Sequence, residues 1–257
     1  MQDKQAVLFM SHFVDDTIIE RFNSIGTDDS FEKWLLLDTT NLHASSEYPP
    51  SEPKRTVRFS VEQIKTAGYQ AINPAKVVPG SNHFAVLEFA ALHPEYSHIW
   101  VVEYDVVYSG CWNEFLSCFP FDIDFLTTDI RTINDDPTWC WWRSFRSGQC
   151  ERKMSARQMV ASFNPIYRLT RAAALHLRSA FLSGCKGHHE VTMPTILTRD
   201  GFSIEELGGN GRYTPKSRIG RFYNRDTFHW RPTIDASATK KHKDTLYHPV
   251  KLPPAST

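Results

Sequence analysis

The stretch His98-Ile99-Trp100-Val101-Val102-Glu103-Tyr104-Asp105-Val106-Val107-Tyr108 decides the fold. Four consecutive large apolar residues, Ile99 to Val102, have the pattern of a strand covered on both faces, as in the middle of a parallel sheet. Such sheets take ligands in the crevice beyond the carboxyl ends of their strands. Glu103 and Asp105 stand two residues apart, so in an extended chain both carboxylates point to one side. Two acids held together repel unless a cation or a shared proton lies between them. The pattern predicts a divalent-metal site, and it also fits an acidic strand end facing water.

Working outward, alternating strands and helices predict an α/β domain with a mostly parallel sheet. Upstream, Ala6 to Phe13 reads as a first buried strand, and Asp15-Asp16 cap a helix reaching about Ser24. Trp34-Leu35-Leu36-Leu37 forms a second strand closed by Asp38. A proline-bearing loop runs from Ser45 to Lys54, and Ser60 to Gln63 has the form of a capping box. Ser81 or Asn82 opens a helix through about Leu92. Downstream, Phe125 to Asp129 reads as a fourth strand. Thr132 to Gln149 lacks a clean period and reads as an insertion over the sheet. Arg157 to Leu169 reads as a strand turning into a helix that Thr170 to Ser183 completes. Glu190 to Leu197 opens a further short helix, Phe202 to Ile204 a strand, and from Gly208 the chain reads as an irregular basic tail.

The 257 residues fit one large α/β domain, with no linker and no internal repeat. The 29 basic and 29 acidic side chains cancel, so no global field favours nucleic acid. Five cysteines without a CxxC pair fit neither a zinc knuckle nor a disulfide framework and point to a reducing compartment. No apolar run reaches membrane-span length, and the run Ala6 to Met10 is too short for a signal-peptide core. The expectation is a cytoplasmic protein, with peripheral contact to the inner face of the membrane left open. There is no G-x-G-x-x-G or Walker A pattern, which argues against a dinucleotide enzyme or a P-loop kinase.

Four features stand in order: Glu103 and Asp105 on the third strand, Asn164-Pro165-Ile166-Tyr167, Glu190 after Gly187-His188-His189, and His248 with Lys251. In that order they resemble the nucleotide-sugar-dependent glycosyltransferases of the GT-A fold. The Glu-Tyr-Asp strand and the following Tyr108-Ser109-Gly110-Cys111-Trp112 also look like a poorly characterised glycosyltransferase-like family. The resemblance implies a nucleotide-binding half, about 1–110, and an acceptor-binding half, about 111–257, within a single domain. It implies Mn2+ or Mg2+ held by Asp105 and His248, with Glu103 in place of the usual first Asp, reaching the ribose or the metal. It implies a nucleotide-sugar donor contacted by Lys251, and a glycan or lipid-linked glycan acceptor, as in cell-surface polysaccharide biosynthesis.

The residues supply their own logic beside the resemblance. Oxygen donors suit a hard cation, and Mn2+ also accepts an imidazole. Glu190 is the candidate general base, although an acid at a helix start also serves the helix dipole. Ser11 and His12 close the first strand and Asp38 the second, where a nucleotide binds such a sheet. Asp38 also suits a plain turn role. Trp141 and Trp142, with His188 and His189, offer ring faces for a sugar, or equally a packed core. Two other readings stay open: a non-catalytic carbohydrate-binding protein on the same fold, and a metal-dependent nucleotidyltransferase or hydrolase.

Overall fold

The computed structural model describes residues 4–26, 28–41, 52–148 and 155–251. Its centre is a seven-stranded sheet in the order β3-β2-β1-β4-β7-β6-β8. The strands are β1 (Gln5–Ser11), β2 (Phe31–Asp38), β3 (Thr56–Phe59), β4 (His98–Glu103), β6 (Phe125–Thr132), β7 (Val160–Thr170) and β8 (Ile204–Glu206). All run the same way except β7, which is antiparallel to both β4 and β6. A mostly parallel sheet in one domain is therefore observed. A separate two-stranded ribbon pairs β5 (Val107–Tyr108) with β9 (Leu246–Tyr247).

Period-two alternation distributes the strand side chains between two layers. On β1, Ala6, Leu8 and Met10 enter one apolar core, while Val7 and Phe9 enter the other. The first core is covered by α2 (Val61–Thr66), α3 (His83–Leu92), α5 (Arg171–Leu182) and α6 (His189–Arg199). The second is covered by α1 (Asp16–Ser24) and α4 (Trp112–Ser117). Ile99, Trp100, Val101 and Val102 of β4 are all fully buried, four in a row because both sheet faces are covered there. Local chemistry agrees with the packing. The Asp15 side chain accepts from the Ile18 backbone N–H at 2.8 Å to start α1, and Ser60 caps α2. Helix α3 is apolar nearly all round, as a helix buried on most sides must be.

The chain runs β1, β2, β3 outward in one direction, then returns to place β4 on the other side of β1. This reversal is a switch point, where the loops after β1 and β4 diverge and leave a crevice.

Several expectations are corrected. The third strand ends at Glu103, and Tyr104 and Asp105 form a turn, so Asp105 reaches its neighbour by a bend rather than by strand alternation. Arg157 to Leu169 does not turn into a helix: β7 continues straight to Thr170 with Pro165 inside it. Proline lacks an N–H, and the ladder to β6 accommodates it through register shifts between Leu126 and Arg131. The segment after Gly208 is irregular as expected, with two 3₁₀ turns and a two-residue strand, but it is packed against the domain rather than a loose tail. Phe222, Phe228 and Leu246 are buried in the second core, and β9 carries the chain back to β5. The expected loop from Ser45 to Lys54 lies mostly outside the described residues. Among the described residues no helix is long and apolar enough to cross a membrane.

Candidate metal and transfer site

Glu103 at the carboxyl end of β4, Asp105 in the turn that follows, and His248 just beyond β9 converge. One ligand atom from each lies within 4.8 Å of the others. Three local devices make this possible. The Asp105 carbonyl accepts the Val250 N–H at 2.8 Å, which ties the C-terminal segment to the turn. Arg21 Nη1 donates to both the Tyr104 and Val250 carbonyls at 2.8 Å, clamping the two segments from α1. Finally, the His248 ring is oriented by its own backbone contact, with Nδ1 2.8 Å from the His229 carbonyl.

That last contact fixes the tautomer. A carbonyl oxygen only accepts, so Nδ1 carries a proton and Nε2 faces Asp105 Oδ1 at 3.4 Å. Nε2 then needs a cation or a proton between itself and the carboxylate. This is the arrangement in which metal-bound imidazoles are held by a backbone carbonyl. Asp105 Oδ1 is buried without a hydrogen-bond partner.

The charges are unevenly compensated. Lys251 Nζ donates to Asp105 Oδ2 at 2.5 Å and to the Tyr104 hydroxyl at 3.0 Å. Burial pushes the Asp105 carboxyl up, but His248 and Lys251 outweigh it and hold it well below the usual range. Among the described residues Glu103 has no cation of its own and accepts only from Asn82 Nδ2 at 3.1 Å. Burial, then the Asp105 charge, push its carboxyl upward. Two acids, one lysine and an imidazole therefore leave a surplus negative charge and an orphaned oxygen. Two carboxylates and one imidazole suit Mn2+ or Mg2+. A divalent ion entering at Oδ1 competes with the Lys251 ammonium on Oδ2 for the same carboxylate charge, and the lysine side chain is 48% exposed.

The cluster opens into a cleft of about 2720 Å³ that continues past Glu190 to Trp139 and Trp141. A pocket for one small ligand spans roughly 300–1,000 Å³, so this cleft has room for two substrates. Five further buried polar atoms without partners belong to cleft-lining residues: Asn82 Oδ1, Arg131 Nε, Asn164 Nδ2, His189 Nδ1 and Glu206 Oε2. Buried polar atoms are seldom left unpaired, so these are open to water or to a polar ligand in the cleft.

Glu190 sits in the first turn of α6, nearly buried at 13% side-chain exposure. Its Oε1 accepts from the Asn164 N–H at 3.4 Å, and its Oε2 lies 3.7 Å from His188 Nδ1. Burial raises its carboxyl to about 7, with Arg131 pulling the other way. It thus spends part of the neutral range as carboxylate and part as acid, as proton transfer requires. His188 caps α6 and stacks on Trp141 with ring centroids 4.5 Å apart.

The remaining expected residues divide. Ser11, His12, Asp38 and Lys251 all line the cleft. The Ser11 hydroxyl is committed to its own turn, donating to the Phe13 carbonyl at 2.7 Å. His12 packs edge-on against Tyr104, and burial lowers its ring pKa. Asp38 Oδ1 accepts from the Thr40 N–H and hydroxyl at 2.9 and 2.6 Å, which is the turn role. Trp141 and His188 face the cleft, and His189 lines it while stacking on buried His83. Trp142 is the correction: it is 4% exposed, its indole N–H donates to the Asp136 carbonyl at 2.7 Å, and it belongs to the core. Trp139 takes its place at the cleft, with the Arg131 guanidinium 4.7 Å from its ring.

Two other lining residues take their roles from the fold: Asn164, which the sequence offered only within Asn164-Pro165-Ile166-Tyr167, and Glu206. Asn164 is locked by the Thr127 and Ser162 hydroxyls donating to its Oδ1 at 2.7 and 2.6 Å. Glu206, 1% exposed, accepts from the Tyr223 hydroxyl at 2.5 Å. Gly209 and Gly211 wrap it so closely that a methyl on either would collide with its carboxylate. The glycine run after Leu207 was the signal available in sequence.

Residues 30–120 match a family described as a protein of unknown function (DUF3405). The match spans β2 through α4, so it takes in Glu103 and Asp105 but not Glu190 or His248. No curated protein matches the chain.

Proposed function

We propose that this chain is a metal-dependent glycosyltransferase that moves a sugar from a nucleotide-sugar donor to a glycan or lipid-linked glycan acceptor. One observation carries the reading: the Glu103–Asp105–His248 cluster at the switch point between β1 and β4, opening into a cleft of about 2720 Å³. Asp105, His248 and Glu103 would hold Mn2+ or Mg2+, and the ion would supply Lewis-acid stabilisation of the departing nucleoside diphosphate. Lys251, released from Asp105, is placed to meet a phosphate oxygen. The nucleoside side falls to the ends of β1 and β2, at Ser11, His12 and Asp38, where His12 and Tyr104 offer ring faces.

The acceptor end of the cleft is lined by Trp139, Trp141 and His188. Flat rings suit the apolar face of a pyranose. In the transfer, the acceptor oxygen bonds to the anomeric carbon as the bond from that carbon to the diphosphate oxygen breaks. The acceptor proton passes to the Glu190 carboxylate, which gives inversion; a retaining reaction would leave Glu190 to orient the acceptor. Asn164 supports Glu190 through its backbone N–H and offers a side-chain donor beside it.

The Lys251–Asp105 contact favours a second reading, a non-catalytic glycan-binding protein in which the cluster is a closed set of ion pairs. The test is product analysis on a panel of nucleotide sugars with Mn2+. Release of an intact nucleoside diphosphate supports transfer. Nucleoside monophosphate or pyrophosphate would instead indicate a hydrolase or nucleotidyltransferase. Glycan binding unchanged by metal and nucleotide would indicate the binding protein.

A further inference from the structure

A second concavity of about 460 Å³ lies beside the cleft, sharing the Tyr223 and Asn224 wall with it. Arg221, Lys241, His242 and Lys243 line it. We propose that this pocket binds a phosphate group carried on a larger molecule, a phosphomonoester or phosphodiester, at a site separate from the acid–histidine cluster.

The charge distribution is the first support. Between Arg212 and Lys251 the chain has ten Lys and Arg against three Asp and no Glu, although the protein as a whole is neutral. Positive charge is therefore concentrated in one segment, and a concave, one-sign surface focuses its field on an anion. The second support is pairing. Arg221, Lys241 and Lys243 make no ion pair among the described residues. The two nearby acids have partners of their own, though the exposed Asp235 carboxylate also feels the Lys241 charge. Asp235 caps a 3₁₀ turn by accepting from the Ser237 N–H at 2.8 Å, and the Asp244 carboxylate is turned against Gly110. Elsewhere the exposed cation Arg58 does find a carboxylate, that of Glu52 at 2.5 Å.

The third support is that the cations are presented by an ordered frame. The Ser109 hydroxyl donates to the His242 carbonyl at 2.6 Å, and its N–H donates to the Thr245 carbonyl at 3.0 Å. The Leu246 N–H donates to the Phe222 carbonyl at 2.7 Å, so Arg221 and the 241–243 loop are held on opposite sides of one floor. A guanidinium and two ammonium groups around a small depression match a phosphate better than a carboxylate, because its three oxygens can be shared among several donors.

The test uses the full chain in EDTA, which silences any divalent ion at the acid–histidine cluster. Co-sedimentation is measured with vesicles of phosphatidylcholine alone and with added phosphatidic acid. Binding of glycerol 3-phosphate is followed in parallel by calorimetry. The variants are K241E/K243E and the charge-matched control K54E/K186E, with thermal melts to confirm folding. Binding to acidic vesicles that falls at least about thirtyfold in K241E/K243E but not in the control supports the site and assigns it to a lipid headgroup; the lower bound takes about fivefold for each of the two cations lost near an anionic surface, before the repulsion of the two new carboxylates. Binding of glycerol 3-phosphate alone, lost in the same variant, supports the site for a phosphate on a soluble carrier. No binding to either probe, or equal loss in both variants, overturns it.

Discussion

Replacing Lys251 with Met separates a metal site from a closed ion-pair cluster. The ammonium lies 2.5 Å from Asp105 Oδ2. At that distance the attraction is about 7 kcal/mol for an effective dielectric of 20 and about 2 kcal/mol for a water-like one. The lysine side chain is 48% exposed while Asp105 is 6% exposed, so solvent screening places the net contribution near the lower figure, about 2 kcal/mol. Without metal, Lys251→Met should lower Tm by about 4–8 °C, given 2–4 °C per kcal/mol for a chain of this size. With Mn2+ the sign reverses, because the ion no longer competes with an ammonium. Mn2+ affinity should rise by up to about thirtyfold, the same ~2 kcal/mol expressed as a binding constant. If Lys251 also meets the donor's phosphate, affinity for a nucleoside diphosphate in the presence of Mn2+ falls in the same variant. Thermal-shift titrations with Mn2+, with and without nucleotide, read all three numbers. A variant whose Mn2+ response equals that of the wild type would refute the idea that ammonium and ion share Asp105.

Glu190→Gln should lower turnover by about 10²–10⁴-fold with donor affinity nearly unchanged. The wild-type rate should climb as pH rises through about 7, where Glu190 loses its proton, and that limb should vanish in the variant. Because folding raises this carboxyl from about 4.5 to about 7, its contribution to stability is intact below pH 4.5 and is lost as pH rises through 7. Glu190→Gln should therefore melt above the wild type at pH 8 by at most about 3 kcal/mol of stability, with little gain at pH 4. Trp141→Ala should weaken acceptor binding about tenfold while hardly moving Tm; Trp142→Ala should cost about 3–5 kcal/mol of stability, read by urea unfolding, because that ring is core. Arg21→Ala should loosen the clamp on Tyr104 and Val250 and reduce Mn2+ affinity about tenfold, measured by dialysis, without touching a ligand.

The sheet's inner strands were legible in sequence because burial on both faces leaves an unbroken apolar run, as at Ile99–Val102 and Leu35–Leu37. Helix starts were legible where a side chain caps them, at Asp15 and Ser60. Edge and ribbon elements were not. Thr56–Phe59 alternates weakly at the sheet edge, and the pair Val107–Tyr108 with Leu246–Tyr247 is too short to announce itself. Pro165 misdirected the reading of β7, since the register shift that leaves it unpaired with β6 has no sequence mark. Of the site, the acidic pair was visible as a motif, while its histidine lies more than a hundred residues away and arrives through the β5–β9 ribbon and the Arg21 clamp. Asn82 and Asn164 were visible as a helix start and as part of a motif, but Glu206 was hidden: the unpaired buried atoms of all three appear only in the folded chain.

Titrating the full chain with Mn2+ by electron paramagnetic resonance, in the presence of a nucleoside diphosphate, examines the cluster directly. One tightly bound ion per chain, tightened by the nucleotide and abolished by Asp105→Asn in a protein that still melts cooperatively, is the predicted result. Mn2+ binding that survives Asp105→Asn, or nucleotide binding that is equally strong in EDTA, would contradict it.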